Sequence, residues 1–256
     1  MGIFKDVIIS HIDYKTLLLV NNDEDNIIKP SLKETNLICY YDGRDTLTNS
    51  TITDRSNNSN NYTSSLITKT NQSQFYYEIG CKSGINLNSN DEANSSVDIG
   101  IDTKTFISLK NWNPDSYTVE IGFTENSSMK GIFALGSNDE SMLDKYSLYA
   151  KCNSLEGPIE VRNKLNELHY SAPIKKEIRY DLAVTYDNGR VVYYDKGYSK
   201  RSGNITAFSN VGDLTLGRTF SSNGGDLYLY YLRIYNTALT PIEIIQNYKY
   251  EELIKR

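Results

Sequence analysis

Tyr180-Asp181-Leu182-Ala183-Val184-Thr185-Tyr186-Asp187-Asn188-Gly189-Arg190-Val191-Val192-Tyr193-Tyr194 reads as two strands joined by a tight turn. Tyr180, Leu182, Val184 and Tyr186 alternate with more polar neighbours, the period-2 pattern of a strand with one buried face. Asn-Gly supplies the two positive φ values that a two-residue hairpin turn requires. The same alternation recurs upstream, where Tyr117, Val119, Ile121 and Phe123 are interleaved with Thr118, Glu120 and Gly122. Asn36 to Tyr41 is an apolar run stopped by Asp42-Gly43, and Val211 to Leu216 and Leu227 to Tyr235 add further strands. Only the C-terminus is helical in pattern. Thr240-Pro241-Ile242-Glu243 is a capping box with proline at the first helical position, and Ile244, Ile245 and Tyr248 would share one face. Many short antiparallel strands with no alternating helices predict an all-β, two-sheet antiparallel jelly-roll sandwich with a short C-terminal helix.

Composition fits that reading. Asn occurs 27 times and Tyr 21 times in 256 residues, and these types favour turns and half-buried strands respectively. An apolar fraction of 39% argues against wholesale disorder. The formal charge of −5 lacks the basic excess that nucleic acid or an anionic membrane surface would require, so neither is an expected partner. Cys39, Cys81 and Cys152 are odd in number and widely spaced. They read as small buried hydrophobes rather than a disulfide scaffold or zinc site. No signal peptide or membrane span is apparent near Met1.

Residues 1–31 differ from the rest and read as an N-terminal appendage and linker, ending at the polar patch Asn21 to Asn26 and Pro30. The acidic patch lacks the Gly and Glu that an EF-hand loop starting at Asp23 requires, since Ile28 and Glu34 stand there. The second unit is residues 32–256, a jelly roll with the C-terminal helix.

Within that unit, Leu37 to Asp45, followed by Thr53-Asp54-Arg55-Ser56-Asn57-Asn58-Ser59-Asn60-Asn61, resembles the opening of laminin-G-like, concanavalin A-like jelly rolls. There a "LYYDG" strand precedes a "D-x-S-G-N-x-N" turn. Asn57 replaces the usual Gly, a change Asn tolerates in left-handed backbone. Val97 to Gly100, Tyr117 to Ile121, Tyr180 to Gly197 and Leu232 to Tyr248 resemble later motifs of that family in order. The resemblance implies that the first and last strands of the domain are neighbours, and that rim loops or the concave face recognise carbohydrate. It also implies a setting like that of clostridial phage tail or virion proteins, exposed on a virion or extracellular surface assembly. Residues 1–31 would dock the domain to other tail or virion proteins, and homo-oligomers are expected. Bound Ca2+ is a further implication, with Asp42, Asp54 and Asn57 as donors; the other reading is that these side chains cap turns.

Catalytic constellations are missing from the sequence. Glucanases of this fold use carboxylates spaced along one strand, and the nearest pair, Asp98 and Asp102, has no following Glu at the needed spacing. His11 and His169 are the only histidines, and no G-x-S-x-G elbow is present. Gly212 to Gly217 is not a phosphate loop, because it lies in strands. A sugar-binding surface needs aromatic faces beside amides and carboxylates, which singles out Tyr62 in the Asn-rich turn and Trp112 in Asn111-Trp112-Asn113-Pro114-Asp115. The alternative for Trp112 is a loop aromatic capping the core. Arg233 reads as a structural ion-pair partner. The expectation is therefore a noncatalytic carbohydrate-binding jelly roll, not an enzyme, which recognises a cell-surface glycan. The alternatives are a virion decoration protein making only protein contacts, and a glycan hydrolase.

Overall fold

The computed structural model describes residues 30–43, 45, 51–63, 67–69, 85–87, 106–125, 131–136, 148–152, 158–162, 168–173, 178–205, 212–216 and 227–254. In chain order the strands are β1 (Leu37–Asp42), β2 (Thr51–Ile52), β3 (Tyr62–Thr63), β4 (Ile67–Lys69), β5 (Ile85–Leu87), β6 (Ile107–Ser108), β7 (Ser116–Glu125) and β8 (Phe133–Gly136). They continue as β9 (Leu148–Cys152), β10 (Pro158–Arg162), β11 (His169–Pro173), β12 (Arg179–Asp187), β13 (Arg190–Asp195), β14 (Tyr198–Asn204), β15 (Asp213–Leu216) and β16 (Leu227–Tyr235), followed by helix α1 (Pro241–Ile254).

Two antiparallel sheets face each other. The larger runs β14-β13-β12-β7-β16-β5-β4, with β1 also paired to β16, and the smaller runs β11-β10-β9-β8-β15-β6. β2 and β3 form a separate ribbon. The strands β1 and β16 are antiparallel neighbours, as expected for the first and last strands of the domain. Alternate residues explain the core. Tyr117, Val119, Ile121 and Phe123 of β7 meet Leu182, Val184 and Tyr186 of β12 and Leu229, Leu232 and Ile234 of β16. Phe133, Leu135, Leu148, Leu214 and Leu216 of the smaller sheet close the same cluster. The β12–β13 hairpin turns at Asn188 and Gly189 with φ of 45° and 93°, as the Asn-Gly pair requires. β15 begins two residues later than the sequence pattern suggested, because Gly212 precedes it at φ 75°.

Helix α1 covers the outer face of the larger sheet. Its capping box forms as predicted: Glu243 N donates to Thr240 Oγ1, and Thr240 N donates to Glu243 Oε2 at 2.9 Å. The buried face differs from the expected one. Ile244 is buried, but Asn247 and Glu251 complete the stripe, while Ile245 and Tyr248 are half-buried. The reason lies beneath the helix, where the outward residues of β7, β12 and β16 are charged. Arg233, fully buried, faces Glu120 at 3.1 Å and Glu251 at 3.2 Å. Arg179 pairs with Asp181 at 2.8 Å and lies over the Tyr230 ring. Asn247 donates to both Glu120 oxygens and accepts from Lys33 N. Helix and sheet are thus joined through a polar network, and Arg233 has the structural role read from the sequence.

Cys39 is buried and free, a small hydrophobe as expected. Asp98, Asp102, Cys81 and residues 1–29 of the expected appendage lie outside the described residues. No described helix is long and apolar enough to cross a membrane.

Candidate functional site

One rim of the sandwich is built almost entirely by asparagine. Its foundation is the turn after Asp54. Asp54 Oδ1 accepts from Tyr40 N and Ser56 N, each at 2.8 Å. Its Oδ2 accepts from Ser56 Oγ at 2.8 Å and Asn60 N at 2.9 Å. One carboxylate thereby closes the loop and pins it to β1. Asn57 and Ser59 take left-handed backbone at φ 58° and 57°, conformations that Asn in particular tolerates.

Asn60 and Asn58 then carry the loop to its neighbours. Asn60 Nδ2 donates to Ile38 O, and Asn60 Oδ1 accepts from Lys110 N at 3.0 Å. Asn111 Nδ2 donates to Asn58 Oδ1 at 2.6 Å. Beyond it, Asn236 Nδ2 donates to Asn111 O, Asn113 Nδ2 donates to Asn236 O, and Asn236 N donates to Asn36 O. The β12–β13 turn joins through Asn188 N to Asp115 O at 2.7 Å. Three loops and a hairpin tip are braced into one surface. Asn57, Ser59, Asn61, Lys110, Asn111, Asp115 and Asn188 remain exposed on it, a mixture of amide donors and acceptors with one cation and one carboxylate.

Trp112 lies on this rim, half-buried, with its ring centroid 4.7 Å from that of Tyr117. It rests on Gly212, where an added Cβ would come within 2.5 Å of the indole Cγ. The packing agrees with the reading of Trp112 as a loop aromatic capping the core, and the residue as a whole is half-buried. Gly212→Ala is expected to displace that ring, since the positive φ and the clash act together. Trp112 is the sole tryptophan, so a red shift of its fluorescence emission, with a stability loss of about 1–3 kcal/mol, is the readout.

Tyr62 requires a correction. It is 2% exposed, packs 6.4 Å from the Tyr41 ring and accepts Leu216 N at its hydroxyl. Ile52 and Tyr62 are directly opposite each other in the β2–β3 ribbon and share its inward face, so Tyr62 supports the rim from the core and offers no face to a sugar.

The expected calcium donors also have other work. Asp54 spends both oxygens on protein donors. Asp42, 1% exposed, accepts from Tyr40 OH and pairs with Arg55 at 2.7 Å. Asn57 is exposed at the loop tip. Calcium needs six to eight oxygens free to turn toward it, whereas both oxygens of Asp54 and Oδ2 of Asp42 already accept from N–H, O–H and guanidinium groups. Among the described residues no group of three or more His, Cys, Asp and Glu side chains is arranged to hold a metal.

Sequence reasoning singled out Trp112 as a sugar-binding candidate and Asn57 only as a metal donor, and did not single out Asn58, Asn60, Lys110, Asn111 or Asn236. A signal was available in asparagines flanking the strand ends, since Asn36, Asn57, Asn111 and Asn188 all adopt positive φ. What pattern could not show is that loops about fifty and a hundred and twenty residues apart share one surface.

No protein family and no curated sequence matches the chain. Solved structures do. Domain 4 of AbnA, a GH43 extracellular arabinanase from Geobacillus stearothermophilus in complex with arabinotriose, is similar with a TM-score of 0.55. That match covers 84% of this chain and 99% of that domain at 17% identity. The botulinum neurotoxin type G receptor-binding domain matches at a TM-score of 0.54 and 13% identity, over 85% of this chain and 52% of that one. Trypanosoma rangeli sialidase matches at 0.56 and 9% identity, over 88% of this chain and 34% of that one. The chain is a β-sandwich jelly roll. At these identities the likeness is one of fold, and the jelly roll spans about half of the neurotoxin domain and a third of the sialidase.

Proposed function

We propose that this jelly roll is a noncatalytic glycan-recognition domain whose binding surface is the asparagine-rich rim around Trp112. The observation that carries the reading is the cross-bracing of loops 57–61, 110–115 and 236–238, which holds exposed amides, Lys110 and the half-buried Trp112 in fixed positions. A preorganised set of this kind loses little entropy on meeting a hydroxyl-rich ligand. Similar folds solved with arabinotriose, or described as receptor-binding domains, support the same reading. The sequence resemblance supports a place on a phage tail, virion or other surface assembly that contacts a host polysaccharide.

A glycan array probed with the full chain tests it. The double variant Asn57→Gly, Lys110→Ala removes two rim side chains while sparing the fold, because Gly accepts the φ of 58° at position 57. Binding is expected to weaken at least tenfold, with no reducing ends released from the bound glycan. Chelation by EDTA is expected to leave binding unchanged, in keeping with the protein donors already held by both oxygens of Asp54 and by Asp42 Oδ2. Array binding unaffected by the double variant would overturn the assignment of the rim.

A further inference from the structure

The free edge of the larger sheet carries a second kind of surface. β14 is the edge strand of the larger sheet, and all of its residues are exposed except the half-buried Gly203. Its pairing with β13 is interrupted by a bulge. Tyr193 faces Arg201 and Tyr194 faces Ser199, leaving Lys200 as the extra residue beside Arg201. Bulges at sheet edges re-aim side chains, and this one sets two cations next to each other.

The surroundings of that pair are aromatic and polar. Tyr193 and Asp195 lie on the same face of β13, opposite Arg201 and Tyr198. Tyr170, on the edge strand of the smaller sheet, stacks on Tyr193 with centroids 6.1 Å apart. Tyr193 OH donates to Leu168 O at 3.0 Å, so the two sheet edges meet here. Tyr170 is half-buried and Tyr198 is exposed. At the foot of the group, Asp195 Oδ1 is a buried acceptor with no hydrogen-bond partner among the described residues. Burial raises its carboxyl, while Lys200 and Lys196 pull it down.

The pair lies on a chain whose formal net charge is −5. Lys33, Arg55, Arg179 and Arg233 are each committed to carboxylates. Lys200 and Arg201 are exposed and form no ion pair among the described residues, as is also true of Lys110, Arg190 and Lys196, but only here do two such cations adjoin. Lysine on an edge strand also discourages edge-to-edge pairing. That role needs neither an adjacent arginine nor two tyrosines and an unsatisfied acceptor.

We propose that the open edge formed by Tyr170, Asp195, Tyr198, Lys200 and Arg201 is a second binding site, independent of the rim, for an acidic sugar bearing a carboxylate. The guanidinium of Arg201 matches a carboxylate in a two-pronged contact, with Lys200 adding charge. A tyrosine face takes the C–H side of the pyranose ring, while the Asp195 carboxyl, whose Oδ1 is buried, attracts Lys200 and Lys196.

Isothermal titration of the full chain with oligogalacturonate, with dextran and inorganic polyphosphate as comparisons, tests the site. Oligogalacturonate is expected to bind and dextran not. Lys200→Gln, Arg201→Gln is expected to weaken oligogalacturonate at least tenfold while leaving the melting temperature and rim-glycan binding unchanged. Tyr198→Ala is expected to weaken oligogalacturonate several-fold but not polyphosphate, which separates sugar recognition from bare charge attraction. Oligogalacturonate binding that survives the double substitution, or is indifferent to Tyr198 and matched by polyphosphate, would overturn the proposal. So would a failure of the wild-type chain to bind at low salt. Loss of rim binding by Asn57→Gly, Lys110→Ala with oligogalacturonate affinity retained keeps the two sites distinct.

Discussion

Arg233→Met is expected to destabilise the protein by about 3–5 kcal/mol at pH 8, because it leaves two buried carboxylates without their shared cation. For a domain of this size that is a fall in Tm of roughly 6–20 °C, measurable by circular dichroism. Arg233 is 0% exposed, with Glu120 from β7 on one side and Glu251 from α1 on the other. Its nitrogens lie 3.1 and 3.2 Å from those carboxylates but make no well-directed hydrogen bond, so it acts chiefly as a charge held between rings. The Tyr231 ring lies 4.3 Å from the guanidinium carbon and the Tyr40 ring 5.7 Å, which adds cation–π attraction in a desolvated site. Methionine fills much of the same volume, so the loss measures charge more than packing. The triple variant Arg233→Met, Glu120→Gln, Glu251→Gln is expected to recover most of it. If Arg233→Met alone were neutral, the network would not be what fastens α1 to the sheet.

The same cluster gives the protein a pH dependence with a defined sign. Burial pushes the Glu120 carboxyl up to about 7, against the lowering pull of Arg233 and Asn247. An unfolded Glu titrates near 4.5, so between about 4.5 and 7 the native state holds a proton that the unfolded chain has released. The contribution of this group therefore favours folding at the acid end and is lost as pH rises toward 7. Comparison of wild type with Glu120→Gln isolates it: the stability of wild type relative to the variant is expected to fall from pH 4.5 to 7 and to level off above. The Arg233→Met defect is expected to shrink at pH 5, where the stranded Glu120 carboxyl is protonated.

How much of this was visible in the chain depends on the range of the interaction. The hairpin at Asn188-Gly189 and the capping box at Thr240 are contiguous, and each is specified by residues within four positions. The alternation of Tyr117 to Phe123 fixed which residues face the core, since a period of two leaves no choice once one face is buried. The underside of α1 was not legible in the same way. An apolar stripe was expected from Ile244, Ile245 and Tyr248, yet the helix docks through Ile244, Asn247 and Glu251. Polar residues at helical spacing look like a solvated face until their partners Glu120, Arg179 and Arg233 are placed beneath them. Tyr62 was misread for the converse reason. Asparagines surround it in sequence, but they form the loop while its ring turns inward. The rim depends on contacts such as Asn58 with Asn111, which no local rule connects.

Asp54→Ala is expected to cost about 3–5 kcal/mol, because three backbone N–H groups and one hydroxyl lose their acceptor in a buried setting at about 1–3 kcal/mol each, partly relieved by rearrangement. The donors are Tyr40 N, Ser56 N, Ser56 Oγ and Asn60 N. Asp54→Asn is expected to be nearly as harmful, since an amide presents an NH2 group where both oxygens now accept. The consequence extends to the rim: Asn60 is held by Asp54 and in turn accepts Lys110 N, so loosening the turn releases loop 110–115 along with it. Loss of rim-glycan binding should therefore accompany the loss of stability, although Asp54 itself is 8% exposed. The calcium reading makes a different forecast. A metal-ligand Asp54 would leave the metal-free protein largely unaffected by Asp54→Asn and abolish stabilisation by added calcium. A turn-closing Asp54 lowers the denaturation midpoint equally with EDTA or with calcium present, and equal midpoint shifts in the two buffers are the result expected here.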